Sequence, residues 1–489
     1  MQDLGTLGGQ NNYAQKVNWR GQVTGSAETG EFPGTISRSI TRSSGRRSHR
    51  MAARRMSKDV DTRWPTENTP IRSIQTLDTS IAPVGNNMTG RRIYRLSLVL
   101  LSLGLVGLLA PAPTTWASNA SAVATSAPSK PMKDLGTLGG ANSQGMGINA
   151  LGQVVGYSDT AHDELHAFLW TPSRGMRDLG ALKGPANFSI ALDINAFGQV
   201  SGYGAAADGG RHAFRWTASE GMRDLGTLGG LESYGARINV RGQINGHSTL
   251  ADGTAHAFRW TATEGMRDLG TLGGPVSYSS GMNALGQVTG NSWTATGRSH
   301  AYRWTSTGGM QDLGTLSGPE SYGQAINTLG HVVGNSEMAD GSFHAFRWTP
   351  SSGMRDLGTL GGQSSFAYGI NAQGQVTGIS DTEDGKQHTF RWTAAGGMED
   401  LGTLGGQTSQ PSDINERGHI IGTSVTEDPT TQHAYRWTPT GGMQDLGTLG
   451  GQNSYPQEIN IRGQVTGYAD IADSPYDNIP VGHAFLWTP

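Results

Sequence analysis

The chain has 489 residues, of which 36 are Lys or Arg, 39 are Asp or Glu, 74 are glycine and none is cysteine. The lack of cysteine excludes disulfide bonds, cysteine-ligated zinc, iron–sulfur clusters and a thiol nucleophile. The glycines do not recur at every third position, which excludes a collagen helix.

The first part of the chain differs in composition from the rest. Residues 1–34 are predicted to be an orphan partial repeat, because residues 1–25 match residues 443–467 at 20 of 25 positions. Residues 35–87 are rich in Ser and Arg and have no hydrophobic periodicity. Such a composition predicts a basic disordered linker.

Residues 88–117 have the three parts of an export signal. Three arginines precede an uncharged apolar run at 96–110, and the small residue Ala117 follows it. A helix of fifteen residues spans about 22 Å, less than the roughly 30 Å core of a bilayer. The segment therefore predicts a signal peptide or signal anchor, followed by a linker at 118–131 and a secreted or cell-surface location.

Residues 132–489 consist of eight copies of one unit, and a fixed period of this length is typical of repeat architectures. The motif M-x-D-L-G-x-L begins at methionines 44 to 46 residues apart: Met132, Met176, Met222, Met266, Met310, Met354, Met398 and Met443. A string similar to H-A-F-R-W-T closes each unit, with its Trp at Trp170, Trp216, Trp260, Trp304, Trp348, Trp392, Trp437 and Trp487.

Each unit contains four short strand signals separated by turn signals. In 354–397 the strings MRDLGTL, SFAYGIN, QVTGIS and HTFRWT are predicted to be the first to fourth strands. Asn371 and Gly374 fit the first and fourth positions of a type I turn between the second and third strands. In four units an Asp-Gly pair predicts a hairpin between the third and fourth strands.

Four antiparallel strands per unit, repeated eight times, predict an all-β fold: a monomeric β-propeller of about eight four-stranded blades. Seven blades and an open β-solenoid are the alternatives, although a solenoid would need capping ends. Phe and Trp of each closing string share one face and are predicted to fill the gaps between blades. The residues predicted to maintain the repeat are His212, Trp216, His256, Trp260, Trp304, His344, Trp348, Asn371 and Gly374.

On these strings the chain resembles the bacterial HAF repeat, a probable extracellular repeat named for its His-Ala-Phe signature. HAFRW or HAFLW occurs at 166–170, 212–216, 256–260, 344–348 and 483–487. Three units depart from the signature, with Tyr302, Tyr435 and Thr389 as the replacements. The resemblance covers about 132–489, implies an exported or cell-surface protein and implies no activity.

The repeated polar residues favour structural roles. Eight histidines in a ring suggest metal binding, but copies one blade apart are too distant to share a zinc ion, so each His is expected to bond a nearby carbonyl. The Asp of each DLG motif is expected to pair with an Arg of a neighbouring strand. Acidic runs such as 381–385 lack the ligand spacing of calcium loops. No catalytic residue, cofactor or metal site is predicted.

The sequence therefore predicts an exported, non-enzymatic scaffold that binds an unknown extracellular macromolecule or glycan. A multivalent lectin and a degenerate propeller hydrolase acting at the central funnel are the alternatives. The acidic repeats predict no nucleic-acid partner, and membrane contact is expected only through an uncleaved signal segment. Trp293 has no counterpart in the other units and is the one predicted binding residue, in a loop between the third and fourth strands.

Overall fold

A computed structural model describes residues 8–17, 23–29, 131–472 and 481–489. The chain divides into two compact units, residues 1–87 and residues 88–489. In the first unit, β1 (Gly8–Val17) and β2 (Val23–Thr29) form an antiparallel pair.

Three sequence predictions concern segments outside the described residues. These are the basic linker at 35–87, the export signal at 88–117 and the linker at 118–131, of which only residue 131 is described. Within the described part of the chain, no helix has the length and the apolar character required to cross a membrane.

The first described strand of the second unit is β3 (Lys133–Asp134), and four-stranded blades follow. Blade 1 contains β4 (Gly139–Ile148), β5 (Val154–Thr160), β6 (Leu165–Thr171) and β7 (Gly175–Asp178). Blade 2 contains β8 (Ser189–Ile194), β9 (Val200–Ala205), β10 (Arg211–Thr217) and β11 (Gly221–Asp224). Blade 3 contains β12 (Gly229–Ile238), β13 (Ile244–Leu250), β14 (Ala255–Thr261) and β15 (Gly265–Asp268). Blade 4 contains β16 (Gly273–Met282), β17 (Val288–Thr294), β18 (Ser299–Thr305) and β19 (Gly309–Asp312).

The remaining four blades repeat the same order. Blade 5 contains β20 (Ser321–Ile326), β21 (Val332–Glu337), β22 (Phe343–Thr349) and β23 (Gly353–Asp356). Blade 6 contains β24 (Gly361–Ile370), β25 (Val376–Thr382), β26 (Gln387–Thr393) and β27 (Gly397–Asp400). Blade 7 contains β28 (Gly405–Ile414), β29 (Ile420–Thr426), β30 (Gln432–Thr438) and β31 (Gly442–Asp445). Blade 8 contains β32 (Gly450–Ile459), β33 (Val465–Ile471) and β34 (Gly482–Trp487).

The ring closes through β3, which supplies the fourth strand of blade 8. Lys133 pairs with Leu486 and Asp134 with Phe485, in antiparallel register. The first strands of all eight blades contact one another in sequence around the axis, and β32 contacts β4. The prediction of an eight-bladed β-propeller is therefore confirmed, and the closed ring excludes an open solenoid.

The predicted order of strands within a blade is wrong by one strand. Each M-x-D segment is the fourth strand of the preceding blade: Met354 pairs with Trp348, and Asp356 with Phe346. The physical reason is the short turn after Thr349, which folds the chain straight back along β22. The Asp-Gly turns consequently lie between the second and third strands.

The core consists of eight layers between neighbouring blades. Tyr302 and Trp304 of blade 4, both fully buried, pack against Ala257 and Leu269 of blade 3. Equivalent clusters occur at the other interfaces, because the aromatic residues of every third strand point toward the preceding blade. Packing between blades thus buries both faces of each small sheet.

Candidate functional site

The turns between the first and second strands form a closed ring around the axis. We call these eight four-residue segments the Asn turns: 149–152, 195–198, 239–242, 283–286, 327–330, 371–374, 415–418 and 460–463. The Nδ2 of the Asn in each turn donates a hydrogen bond of 2.9–3.2 Å to the backbone carbonyl of the Asn in the next. Asn460 closes the ring by donating to the carbonyl of Asn149 at 3.0 Å.

Asn371 and Gly374 show how one turn is built. The Gly374 N–H donates to the Asn371 carbonyl at 3.0 Å, and Gly374 has a φ of 77°, which favours glycine. The Asn371 Oδ1 accepts the Gln375 N–H at 3.0 Å, while its Nδ2 reaches the Asn415 carbonyl at 3.2 Å. The same side chain therefore shapes its turn and joins two blades.

One position on the innermost strands breaks the regularity of the repeat. It lies two residues before each of these asparagines, and we call it the channel position. Its eight occupants are Gly147, Asp193, Arg237, Gly281, Ala325, Gly369, Asp413 and Glu458. Four blades thus place a charged group beside the axis, whereas four place a glycine or alanine there.

The three carboxylates at the channel position accept backbone hydrogen bonds across blade boundaries. Asp193 accepts the N–H of Ile238, in the next blade, at 2.8 Å. Asp413 likewise accepts the N–H of Ile459 at 3.1 Å. Glu458 accepts the N–H of Ile148 at 2.6 Å, which brings blade 8 onto blade 1.

Glycine at one channel position makes room for the carboxylate at another. A Cβ added to Gly147 would lie 3.3 Å from the Glu458 Oε2, so a larger side chain would crowd the carboxylate. The glutamate therefore extends over blade 1, toward Asp193 of blade 2.

Arg237 is arranged differently from the carboxylates. Its side chain is surrounded by protein yet remains open to solvent, because it projects into the channel. Among the described residues it has no hydrogen bond and no ion pair within 4.0 Å. The guanidinium group is thus free to bind an anionic group in the channel.

The four charged groups influence one another electrostatically. Burial, together with the negative charge of Asp193, raises the pKa of Glu458 well above its usual range. Burial also raises the pKa of Asp413, although the hydrogen bond from the Ile459 N–H acts to lower it. Burial alone would lower the pKa of Arg237, but the three carboxylates outweigh it and raise that pKa. Glu458 is therefore the carboxyl group most prone to hold a proton.

A cavity of about 330 Å³ opens on this part of the channel. Asp193 and Glu458 lie in its wall, with Met282 on another side and the Asn turns of blades 1 to 4 at its rim. A volume of this size suits a small molecule. No group of three or more His, Asp or Glu in the described residues is arranged to hold a metal ion.

The repeated histidines lie elsewhere and have other partners than expected. In every blade the His Nδ1 contacts the Asp of a DLG motif at 2.8–2.9 Å. His212, His256 and His344 belong to this set, and His483 with Asp134 completes it across the ring closure. The expected Arg–Asp pair is therefore wrong, because the fourth strand places Asp beside His. The expected backbone partner is present at His433, which hydrogen-bonds to the backbone of Gln452 as well as to Asp445.

The arginines of the third strands instead lie over tryptophan rings of the next blade. Arg215 covers Trp260 and Arg259 covers Trp304, with 5.1 and 4.9 Å between the guanidinium carbon and the ring centroid. Trp216 and Trp348 occupy equivalent buried places. Leu169 of blade 1 packs in one buried cluster with Trp216 of blade 2, at the place where most blades have an Arg. An apolar side chain can therefore replace Arg at this position.

Trp293 lies at the end of β17, not in a loop as the sequence predicted. It pairs with Ser299 of β18 and is 43% exposed. Its predicted place was wrong because the shift in strand order moves this segment into the second strand. It is far along the strand from the Asn turn of its blade and does not line the cavity.

Sequence reasoning missed the channel position altogether. No motif marks it, since its occupants share neither charge nor size. Alignment of the eight units on their Asn would have isolated it, as four charged residues in a column of small ones.

No protein-family model and no curated protein matches the chain. Solved propellers do: a puromycin hydrolase is 13% identical, with a TM-score of 0.42 over 70% of this chain and 62% of its own. The β-propeller domain of the Trilobed protease from Pyrococcus furiosus is 8% identical, with a TM-score of 0.40 over 71% and 95%. The BP39L lectin from Burkholderia pseudomallei is 9% identical, with a TM-score of 0.37 over 63% and 99%. The match spans less than two thirds of the puromycin hydrolase.

These comparisons correct the predicted function. The matched propellers include a puromycin hydrolase, a puromycin-hydrolyzing peptidase from Mycobacterium tuberculosis and an acylaminoacyl peptidase. The prediction of a non-enzymatic scaffold is therefore contradicted by these matches to hydrolases and peptidases. The similarity shows the fold and establishes neither an activity nor the lack of one.

Proposed function

We propose that the channel binds a small zwitterion, a molecule with an ammonium group and a carboxylate group a few bonds apart. The observation that carries this proposal is the arrangement of opposite charges at the channel position: Asp193 and Glu458 lie in the cavity wall, and Arg237, next to the cavity-lining residue Ile238, interacts electrostatically with both. The carboxylates would bind the ammonium group, and Arg237 would bind the carboxylate.

The energetic cost of these charges supports a ligand role. Charged groups removed from bulk water are unfavourable unless they are paired. The fold does not require them, because four blades carry Gly or Ala at the channel position. Asp193 and Asp413 have backbone partners that explain part of their presence. Arg237 is open to solvent and has no hydrogen-bond partner among the described residues, so an anionic group of a ligand can reach its guanidinium group.

Calorimetry with the full chain tests this proposal. Alanylalanine should bind, whereas propylamine and propionate, which each carry one of the two charges, should bind at least about tenfold more weakly. Arg237→Gln should weaken the binding of alanylalanine by about tenfold or more. Arg417→Gln, which removes an exposed arginine from an Asn turn outside the cavity, is the matched control and should leave affinity unchanged. Equal binding by wild type and Arg237→Gln would contradict the assignment.

A second candidate function is acid–base hydrolysis in the same cavity, and the unlike surroundings of two carboxyl groups favour it. Glu458 accepts a single backbone hydrogen bond and has a raised pKa. Asp193 accepts backbone hydrogen bonds from Ile194 and Ile238. Two carboxyl groups in unlike surroundings are the parts that glycoside hydrolysis uses.

A panel of chromogenic glycosides tests the second candidate. If the channel is hydrolytic, Glu458→Gln should lower kcat by roughly 10²–10⁴-fold, as expected for loss of a general acid. Asp340→Asn, on an exposed turn between the second and third strands of blade 5, should leave kcat unchanged. Turnover that persists in Glu458→Gln, or its lack in the wild type across the panel, would remove this candidate.

A further inference from the structure

Six of the eight Asn turns expose a large apolar side chain. The six residues are Leu151, Phe197, Val240, Leu285, Leu329 and Ile461. Phe197 is 76% exposed and Leu329 61%. Three other large apolar side chains are exposed in the described part of the chain: Leu231, Tyr278 and Trp293. Exposed apolar residues are thus concentrated on one part of the surface.

The hydrogen-bonded ring of asparagines places these six residues on one face. Each Asn turn is held within about 3 Å of the next, so the turns lie at the same level around the axis. The apolar residues occupy the second or third place of their turns, between the Asn and the Gly. We call the surface formed by the eight turns the Asn-turn face.

The turn geometry does not explain the apolar residues. It depends on the Asn at the first place and the Gly at the fourth, as in the turn that begins at Asn371. Gln373, Arg417 and Arg462 occupy the third place of their own turns, which shows that polar residues fit there. Single exposed apolar residues are ordinary, but a coplanar set of six indicates an interaction surface.

The turns between the third and fourth strands emerge at the same end of the blades as the Asn turns, and their two glutamates, Glu220 and Glu264, are paired with Arg215 and Arg259. The eight Asn turns themselves carry mainly positive charge. Arg241, Arg417 and Arg462 are exposed there, and Glu416 is the one acidic residue in these turns. The opposite face is acidic: the seven fully described turns between second and third strands carry nine acidic residues against two basic ones. The acidic residues are Asp163, Glu164, Asp208, Asp252, Asp340, Glu383, Asp384, Glu427 and Asp428, and the basic ones are Arg298 and Lys386.

We propose that the Asn-turn face docks on a membrane surface that contains anionic phospholipids. The six exposed apolar side chains of this face, called its apolar tips, would enter the boundary between headgroups and acyl chains, as the apolar residues of peripheral proteins do. The three arginines would be attracted to the lipid charge, at about 1 kcal/mol for each cation near the surface. The acidic opposite face would be repelled, which fixes the orientation of the propeller.

A second copy of the chain fits this face less well than a lipid surface does. Two Asn-turn faces in contact would bring six arginines together with only two carboxylates to offset them. The apolar side chains also project singly from separate turns and form no groove for a protein segment. A fluid surface accommodates such separate tips without a matching shape.

A fluorescent label at one residue tests the proposal in the full chain. Because the chain has no cysteine, Leu329→Cys provides a single site for an environment-sensitive dye. Vesicles of phosphatidylcholine with phosphatidylglycerol should shift its emission to the blue, and phosphatidylcholine alone or high salt should reduce the shift. Leu231→Cys is the matched control, since Leu231 is 65% exposed near the far end of β12, and its label should not respond.

Variants of the tips measure the strength of the interaction. Phe197→Ser combined with Leu285→Ser should weaken vesicle binding by about tenfold or more, because each side chain loses its apolar burial. Binding by the segment at 96–110 would leave the Leu329 label unshifted, which would overturn the proposal. Equal shifts at Leu329 and Leu231 would overturn it as well. So would a concentration-dependent shift of the Leu329 label without vesicles, because that result indicates self-association.

Discussion

Two positions only two residues apart on the innermost strands behave in opposite ways. The Asn that opens each Asn turn is the same in all eight blades, whereas the channel position holds five residue types. The Asn side chain accepts a hydrogen bond within its own turn and donates one to the carbonyl of the next blade. The position therefore requires a short side chain with both an acceptor and a donor. The channel position faces the axis, where side chains of different size and charge can be accommodated.

This difference separates residues that build the ring from residues that can act in it. A group repeated eight times gives eight equivalent environments and cannot by itself create a site with distinct acid and base. The channel position varies instead, and its four charged residues fall in two pairs of adjacent blades: Asp193 with Arg237, and Asp413 with Glu458. Burial, together with the negative charge of Asp193, raises the pKa of both Glu458 and Asp413.

The largest effect is expected from a residue that builds the ring. Trp304→Ala should lower the free energy of unfolding by about 3–5 kcal/mol, because the Trp is fully buried between blades 3 and 4. Chemical denaturation should show a single transition at lower denaturant. Trp304→Phe is the control and should lose less, and a loss below about 1 kcal/mol for the alanine variant would contradict interblade packing.

The second expected effect depends on pH and concerns His247, which stacks on Tyr234 with 4.9 Å between ring centroids. Burial lowers the pKa of His247 from its ordinary 6.5 to about 4, against a smaller opposing effect of Glu232. The unfolded chain therefore binds a proton at this residue before the folded chain does. Stability should fall as the pH decreases from about 6.5 to about 4, by up to about 3 kcal/mol.

Denaturation at several pH values checks this expectation with a matched variant. His247→Phe keeps an aromatic ring against Tyr234 and removes the titrating group. Its free energy of unfolding should change less than that of the wild type over the same range of pH. Parallel pH profiles for the two proteins would show that His247 does not carry the effect.

A third effect comes from the ring of asparagines. Asn371→Ala removes the hydrogen bonds to Gln375 and to the Asn415 carbonyl, and should lower the free energy of unfolding by about 2 kcal/mol. Affinity for a channel ligand should stay the same, since Asn371 does not line the cavity. Gln373→Ala, in the same turn but exposed, should change stability by less than about 0.5 kcal/mol and serves as the control.

The sequence predicts the ring better than it predicts the channel, for a physical reason. Turn residues such as Asn371 and Gly374 carry local signals, because their conformational needs are met within four residues. The predicted order of strands was wrong because Asp356 pairs with Phe346, on the strand that comes before it in the chain. The strand that contains Asp356 could have paired instead with the one that follows it. Strand strings alone do not contain that information.

The candidate site was missed for a related reason. Its members come from four blades, and what unites them is their distance from the axis. Asp193 and Glu458 are 265 positions apart in the chain and meet at one cavity only after the ring closes. The His–Asp pairs were also missed, because twelve residues and a turn separate His344 from Asp356.

A fourth prediction distinguishes the channel position from the ring. Glu458→Gln should change the free energy of unfolding at neutral pH by at most about 1 kcal/mol, and in the stabilising direction. Burial already disfavours the charge of Glu458, and a Gln oxygen can still accept the Ile148 N–H. Equilibrium denaturation measures the change. A loss of unfolding free energy comparable to that of Asn371→Ala would show that Glu458 stabilises the ring of blades.

The smallest effect on stability is expected from Trp293, the one aromatic residue that the sequence singled out for binding. Its ring is 43% exposed at the end of β17, so Trp293→Ala removes little buried surface and should lower the free energy of unfolding by less than about 1 kcal/mol. Trp304→Ala in the same blade provides the contrast of a buried Trp. Thermal unfolding measures both variants, and a large decrease in Tm for Trp293→Ala would show that this ring packs against its sheet. Its role in binding stays a prediction, because exposed aromatic residues often carry binding energy and this one lies apart from the channel cavity.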